Sequence, residues 1–132
     1  MKIYRPKRVQ RLFVAKTYLI GPVGDAKINL LVDTGATFTM IDAQILQRVG
    51  YDPSSSTDRT EVITANGRVT VPRIRVAQLH ALGQRANDLF VLAHFFSQDS
   101  YFDGLLGMNF LDQFPLEIKP YTGEIVTVQR VW

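Results

Sequence analysis

Leu30-Leu31-Val32-Asp33-Thr34-Gly35-Ala36-Thr37-Phe38-Thr39-Met40-Ile41 is an apolar run that ends in a carboxylate on a tight turn and then becomes apolar again. Ile28, Leu30, Leu31 and Val32 read as a largely buried strand, and Gly35 is expected to supply backbone freedom where the chain reverses. Asp33 therefore sits at a strand end. A carboxylate placed there needs donors or a partner, because a desolvated, unpaired charge is costly. Asp, Thr and Gly are also common turn formers, so the three residues alone would fit an ordinary turn.

The context separates the two readings. A second signal, Gly104-Leu105-Leu106-Gly107, lies far downstream, and an Asn66-Gly67 pair stands between two β-branched runs. Together these stretches resemble the retropepsin-like aspartic proteases: a strand, an Asp-Thr-Gly-Ala turn, a flap hairpin, a hydrophobic-hydrophobic-Gly element and a short helix. Here they fall at Asp33 to Ala36, around Asn66-Gly67, at Leu105-Leu106-Gly107 and from Asn109 to Phe114. The resemblance runs from Leu12 to Val128. It implies an all-β fold with one or two short helices, a closed, barrel-like lobe, one lobe per chain.

Length and composition agree with that frame. A chain of 132 residues fits one domain, here 1–132, with residues 1–10 as a basic arm. At 46% hydrophobic and 20% charged the composition is globular rather than disordered. No apolar stretch approaches a membrane span of about 20 residues, so no membrane association is expected. The N-terminus lacks the apolar segment of a secretory signal, which reads as cytoplasmic. The absence of cysteine excludes disulfides, thiolate metal sites and cysteine nucleophiles. With only His80 and His94, no histidine-rich metal site is expected either, and the resemblance implies no metal or organic cofactor. Lys2, Arg5, Lys7, Arg8, Arg11 and Lys16 all precede the first acidic residue, Asp25. That segment reads as a solvated arm, and no nucleic-acid motif supports a nucleic-acid partner.

In chain order, Arg11 to Ile20 and Ala26 to Val32 read as strands of a hairpin turning at Gly21 to Asp25. Phe38 to Ile41 forms a short strand. Asp42 then caps a helix over Ala43 to Val49, with Ile45, Leu46 and Val49 inward and Gly50 as its stop. Asp52 to Asp58 is a polar loop without periodicity. Thr60 to Ala65 and Arg68 to Val76 flank Asn66-Gly67 as a hairpin whose two central residues both need positive φ. Pro72 points to an edge or bulge, where a missing donor is tolerated. Gln78 to Asn87 reads as a turn region pivoting at Gly83, and Asp88 to Phe96 as an apolar strand, with His94 a core or edge residue rather than a base. Gly107 is expected to lie where added bulk would strike neighbouring backbone, Asn109 to cap the following helix and Pro115 to end it. Leu116 to Lys119 and Ile125 to Val128 close the chain as a hairpin.

Peptide hydrolysis by this route takes two carboxylates sharing one proton, one as base toward water and one as acid toward the scissile carbonyl. A single Asp-Thr-Gly turn implies a homodimer in which Asp33 meets Asp33 of a second copy on a two-fold axis. In the resemblance Asp33, Thr34 and Gly35 are the catalytic residues; Thr34 interlocks through its hydroxyl with the partner, and Gly35 brings its N–H to the carboxylate. A peptide or protein substrate would lie extended against Ala36, the flap tip Ile63, Thr64, Ala65, Asn66 and Gly67, and Leu106. Val32 is a further pocket candidate. Asp42 and Asp103 are rejected as the second acid, since a cap position and a loop-strand junction already employ them. Ala36 offers no hydroxyl where some relatives have Ser. The alternative is a dimerising or peptide-binding module of the same fold without hydrolysis. In viral members of the family that the chain resembles the chain ends interleave into a shared sheet; Ile125 to Trp132 is apolar enough to do so, with Trp132 expected at that interface, while Arg130 and the basic N-terminal arm depart from a simple strand-pairing pattern.

Overall fold

A computed structural model describes residues 1–96 and 100–127. Its strands are β1 (Lys2–Tyr4), β2 (Lys7–Val9), β3 (Leu12–Gly21), β4 (Gly24–Val32), β5 (Thr39–Asp42), β6 (Arg59–Thr64), β7 (Gly67–Ala81), β8 (Gln84–His94), β9 (Gly104–Leu106), β10 (Leu116–Lys119) and β11 (Glu124–Thr127). Two short helices, α1 (Ala43–Arg48) and α2 (Met108–Leu111), complete the list. The fold is all-β, as read from the sequence.

Strand alternation builds the ring. Along β3, Ala15, Thr17 and Leu19 point inward while Lys16 and Tyr18 point out. β3 pairs β4 in antiparallel register, β4 runs parallel to β9, β9 is antiparallel to β5, and β5 runs parallel to β8. β8 then pairs β7, and β7 returns to β3 from Thr17↔Ala81 to Ile20↔Gln78. The result is a closed circuit of sheet, more irregular than a true barrel. Leu19, Leu30, Ile41, Leu46, Leu79, Leu106 and Phe110 fill it, each fully buried. Every such leucine stabilises the fold by about 1.5–3 kcal/mol of transfer free energy. The Tyr51 hydroxyl donates to Ile20 O at 2.8 Å and accepts from Ala77 N at 2.8 Å, tying β3 to β7 from one side chain.

Several local expectations change. The basic arm is no loose tail: β1 pairs β11 and β2 pairs β3, with Arg5 bridging Glu124 at 2.8 Å and the Arg8 guanidinium over the Phe13 ring. Short strands here gain their partners from distant chain, which no local pattern announces. Gln78 to Asn87 turns at Leu82-Gly83, with φ of 52° and 69°, so the expected pivot at Gly83 holds, while the residues on either side are the paired ends of β7 and β8. Both-positive φ thus occurs there and not at Asn66-Gly67, where the loop residues are Ala65 and Asn66 and only Gly67 has positive φ. The Asp52 to Asp58 loop contains a 3₁₀ turn, Pro53–Ser55, capped by Asp52, whose Oδ1 accepts from Ser54 N and Oγ.

Other readings hold. Asp42 caps α1 through Gln44 N at 2.9 Å, and Ile45, Leu46 and Val49 are buried. Pro72 closes the β6–β7 pairing just before β7 meets β8, so its missing donor faces no third strand. His94 is exposed at the end of β8. The C-terminal hairpin forms, but β11 is flanked on one side by β1 and on the other by β10. Ile125 to Thr127 therefore has no free edge to interleave with a second copy. Val128 and Trp132 lie outside the described residues, as do 97–99.

Candidate active site

β4 ends at Val32 and delivers Asp33 to the tip of the sheet beside β9. Asp33 N donates to Leu106 O at 3.0 Å, which continues the β4–β9 ladder by one step into the turn. Gly35 N donates to Asp33 Oδ1 at 2.9 Å, and Ala36 N to Asp33 O at 3.3 Å. Oδ2 receives no hydrogen bond from a described residue. A half-buried carboxylate is thus held by one oxygen and left open at the other. Gly35 is not among the glycines of positive φ. Its need is close approach, since a Cβ there would stand 3.2 Å from Asp33 Oδ1.

The rest of the turn is clamped to the segment after β9. Met108 N donates to Ala36 O at 2.7 Å and Asn109 N to Thr37 O at 3.1 Å. Gly107 packs so tightly that a Cβ would meet Phe38 C and O at 2.5 Å, as anticipated from its place after two leucines. Asn109, expected as a cap, sits inside α2; Gly107 is the N-cap residue. The Asn109 side chain instead crosses to the strands: Oδ1 accepts from Thr39 N at 2.8 Å and Thr39 Oγ1 at 2.9 Å, and Nδ2 donates to Phe90 O at 2.6 Å. Thr39 Oγ1 in turn accepts from Gly107 N at 3.1 Å. Thr39 is fully buried. Sequence reading missed this pair as a unit; the signal available was a threonine in an otherwise apolar strand, a polar group that burial obliges to find partners. The expected α2 span, Asn109 to Phe114, shortens to Met108–Leu111.

A cleft of about 590 Å³ opens beside the turn, lined by Gly35, Ala36 and Phe38 on one side and by Thr60, Val62 and Ile63 of β6 on the other, with Leu105 between. Ala36 and Ile63 thus meet across it, while Thr64, Ala65, Asn66 and Gly67 are exposed at the tip of the β6–β7 hairpin and do not line it. Leu106 is wholly buried, because alternation along β9 turns it to the core and leaves Leu105 facing the cleft. The pocket role expected of Leu106 passes to Leu105. Val32 is half-buried and packs on the core. Thr34 is exposed, and its hydroxyl makes no hydrogen bond among the described residues.

The rejected acids have structural work. Asp103 Oδ2 accepts from Asn29 N at 2.8 Å and Asp103 O from Asp42 N at 2.9 Å, joining β4 to β5. His80 Nε2 lies 3.0 Å from Gln78 Oε1, far along the sheet from Asp33. Among the described residues no helix is long and apolar enough to cross a membrane, and no group of three or more histidine or carboxylate side chains is placed to hold a metal ion.

Residues 20–110, the span that carries β4, the Asp33 turn, the hairpin and β9, match the model of the family described as aspartyl protease. The chain belongs to the aspartyl protease family. No curated protein matches it. Among solved structures, this aspartyl protease chain is similar to a retropepsin-like aspartic protease from Rickettsia conorii, with a TM-score of 0.71 over 94% of this chain and 86% of that one. Identity between the two is 22%, so the likeness is one of fold. The ring of strands around Asp33 is thus a retropepsin-like lobe.

Proposed function

We propose that the protein is an aspartic endopeptidase, active as a homodimer in which the Asp33 carboxylates of two copies share a proton and activate water against a peptide bond. The observation that carries this reading is Asp33 itself: fixed at Oδ1 by Gly35 N, open at Oδ2 among the described residues, on the turn whose Gly35 and Ala36 line a cleft of about 590 Å³. One carboxylate cannot act as base toward water and as acid toward the carbonyl in the same step, so the second must come from another copy. The exposed hydroxyl of Thr34, one residue on, is available to interlock the two turns.

Within the dimer the substrate lies extended between the turn and the β6–β7 hairpin, which acts as a flap over it. Ala36, Leu105 and Ile63 contact its side chains, and the exposed tip, Thr64 to Gly67, closes over its backbone. The two copies meet through their catalytic turns and the edges of the β1-β11-β10 sheet, which pair with no further strand among the described residues and so favour strand addition. The cysteine-free composition suits a cytoplasmic setting.

The test is cleavage of a mixed peptide library across pH by the wild type and by Asp33→Asn, together with sedimentation of both. The expected result is cleavage by a dimer and loss of cleavage in a variant that still folds and pairs. Equal cleavage by both, or none at any pH, would favour a peptide-binding module of the same fold.

A further inference from the structure

On the side of the ring away from the cleft, four strands place one row of side chains in direct register: Lys27 on β4, Tyr18 on β3, His80 on β7 and Arg85 on β8. Neighbouring strands are about 4.8 Å apart, so the row spans about 14 Å. Lys16, the next outward residue along β3, adds a third permanent cation. Among the described residues no ion pair engages Lys16, Lys27 or Arg85. Of the carboxylates nearby, Asp25 stands a full row away opposite Ile20, Asp88 is exposed on β8 three residues on from Arg85, and Asp103 shares a hollow with Asp25 and Lys27.

At the centre of the row Tyr18 is 44% exposed, with Lys27 Nζ 5.9 Å from its ring centroid. A hollow of about 490 Å³ opens beside the ring, bounded by Lys16, His80 and Arg85. A smaller one, of about 230 Å³, shares Lys16, Leu82 and Gly83 with it and reaches Arg5, so the two form one groove.

We propose that this groove binds a single-stranded nucleic acid, its phosphates tracking Lys27, Lys16 and Arg85 and one base stacking on Tyr18. Charge complementarity selects a polyanion. At the centre of the row β3 and β7 are each paired on both sides, so a polypeptide cannot join either as an added strand at Tyr18 or His80, and recognition there falls to side chains. The exposed ring then favours nucleic acid over an acidic peptide: each base offers a flat π-face to it and a glutamate does not. The site is independent of the hydrolytic reading.

The test measures fluorescence anisotropy of a labelled twelve-nucleotide oligothymidylate and its oligouridylate counterpart with the full chain, across a salt series. Binding should weaken linearly in log salt, and Lys16→Gln and Arg85→Gln should each flatten the slope by about 0.7. Tyr18→Ala should weaken binding roughly tenfold with the slope unchanged. All three positions are on the surface, and thermal melts of the variants establish that the fold is kept. Absence of binding at low salt, an unaltered affinity in Tyr18→Ala, or equal competition by an oligoglutamate of matched charge would overturn the proposal. None of these readouts involves peptide cleavage, so failure here leaves the proposed protease activity untouched.

Discussion

Replacing Asn109 by Ala removes three hydrogen bonds at once and leaves the buried Thr39 N–H without its acceptor. A net hydrogen bond contributes about 1 kcal/mol, and a buried donor stripped of its partner costs about 1–3 kcal/mol. The sum is about 3 kcal/mol, since Thr39 Oγ1 can re-aim toward another acceptor. For a domain of this size that lowers Tm by roughly 9–15 °C. Thermal and urea unfolding measure the loss. Thr39→Val should cost less on its own, and the double variant should lose clearly less than the two single losses added, because both substitutions break the same contacts. Thr39→Ser keeps the hydroxyl and should recover most of the stability. The turn hangs from this pair through Gly107 N and Asn109 N, so peptide cleavage by Asn109→Ala should fall even at temperatures where the variant is fully folded. A loss under about 1 kcal/mol in Asn109→Ala, or strict additivity in the double variant, would refute the reasoning.

Further outcomes follow from the same contacts. Gly104→Ala drives a Cβ into Met40 O between two paired strands, and should cost about 3 kcal/mol or more in urea unfolding. Ala36→Ser adds a donor near the Asp33 turn, which favours the ionised carboxylate, and the pH–rate profile for peptide cleavage should move toward acid. The hydrogen bond from the Ser54 hydroxyl holds the Asp52 carboxyl below its usual value of 3.8. Its stabilising effect is therefore present above that pH and fades as pH falls through the depressed value, so Asp52→Asn should flatten the acid limb of a Tm-against-pH curve.

The Asp33 turn was legible because the strand before Asp33 and the apolar residues after it leave few conformations, and because the Leu105-Leu106-Gly107 run demands close backbone packing. The α1 cap at Asp42 was equally local. Reading failed where the deciding contact lay far along the chain. Asn66-Gly67 carries the strongest short turn signal, yet both central φ values are positive at Gln10-Arg11 and at Leu82-Gly83 instead, and of these only the Gly83 pivot is marked in the sequence. Asn109 looked like a cap in a local window; only the packing of α2 against β5 and β8 gave its amide three partners.

From residue order alone came the strand alternation, the Asp33 turn, the glycines that must not bear a side chain and the family to which these belong. The alternation and the turn rest on interactions within a few residues, where side-chain size and backbone sterics act directly, whereas the backbone that crowds Gly107 belongs to Phe38, far along the chain. Tertiary structure decided that Leu105 and not Leu106 faces the cleft, that the basic arm is woven into two sheets, and that Lys27, Tyr18, His80 and Arg85 share one row. Each of these depends on register between strands distant in sequence, and register is chosen by the core as a whole, since a one-residue slip would turn every buried side chain outward.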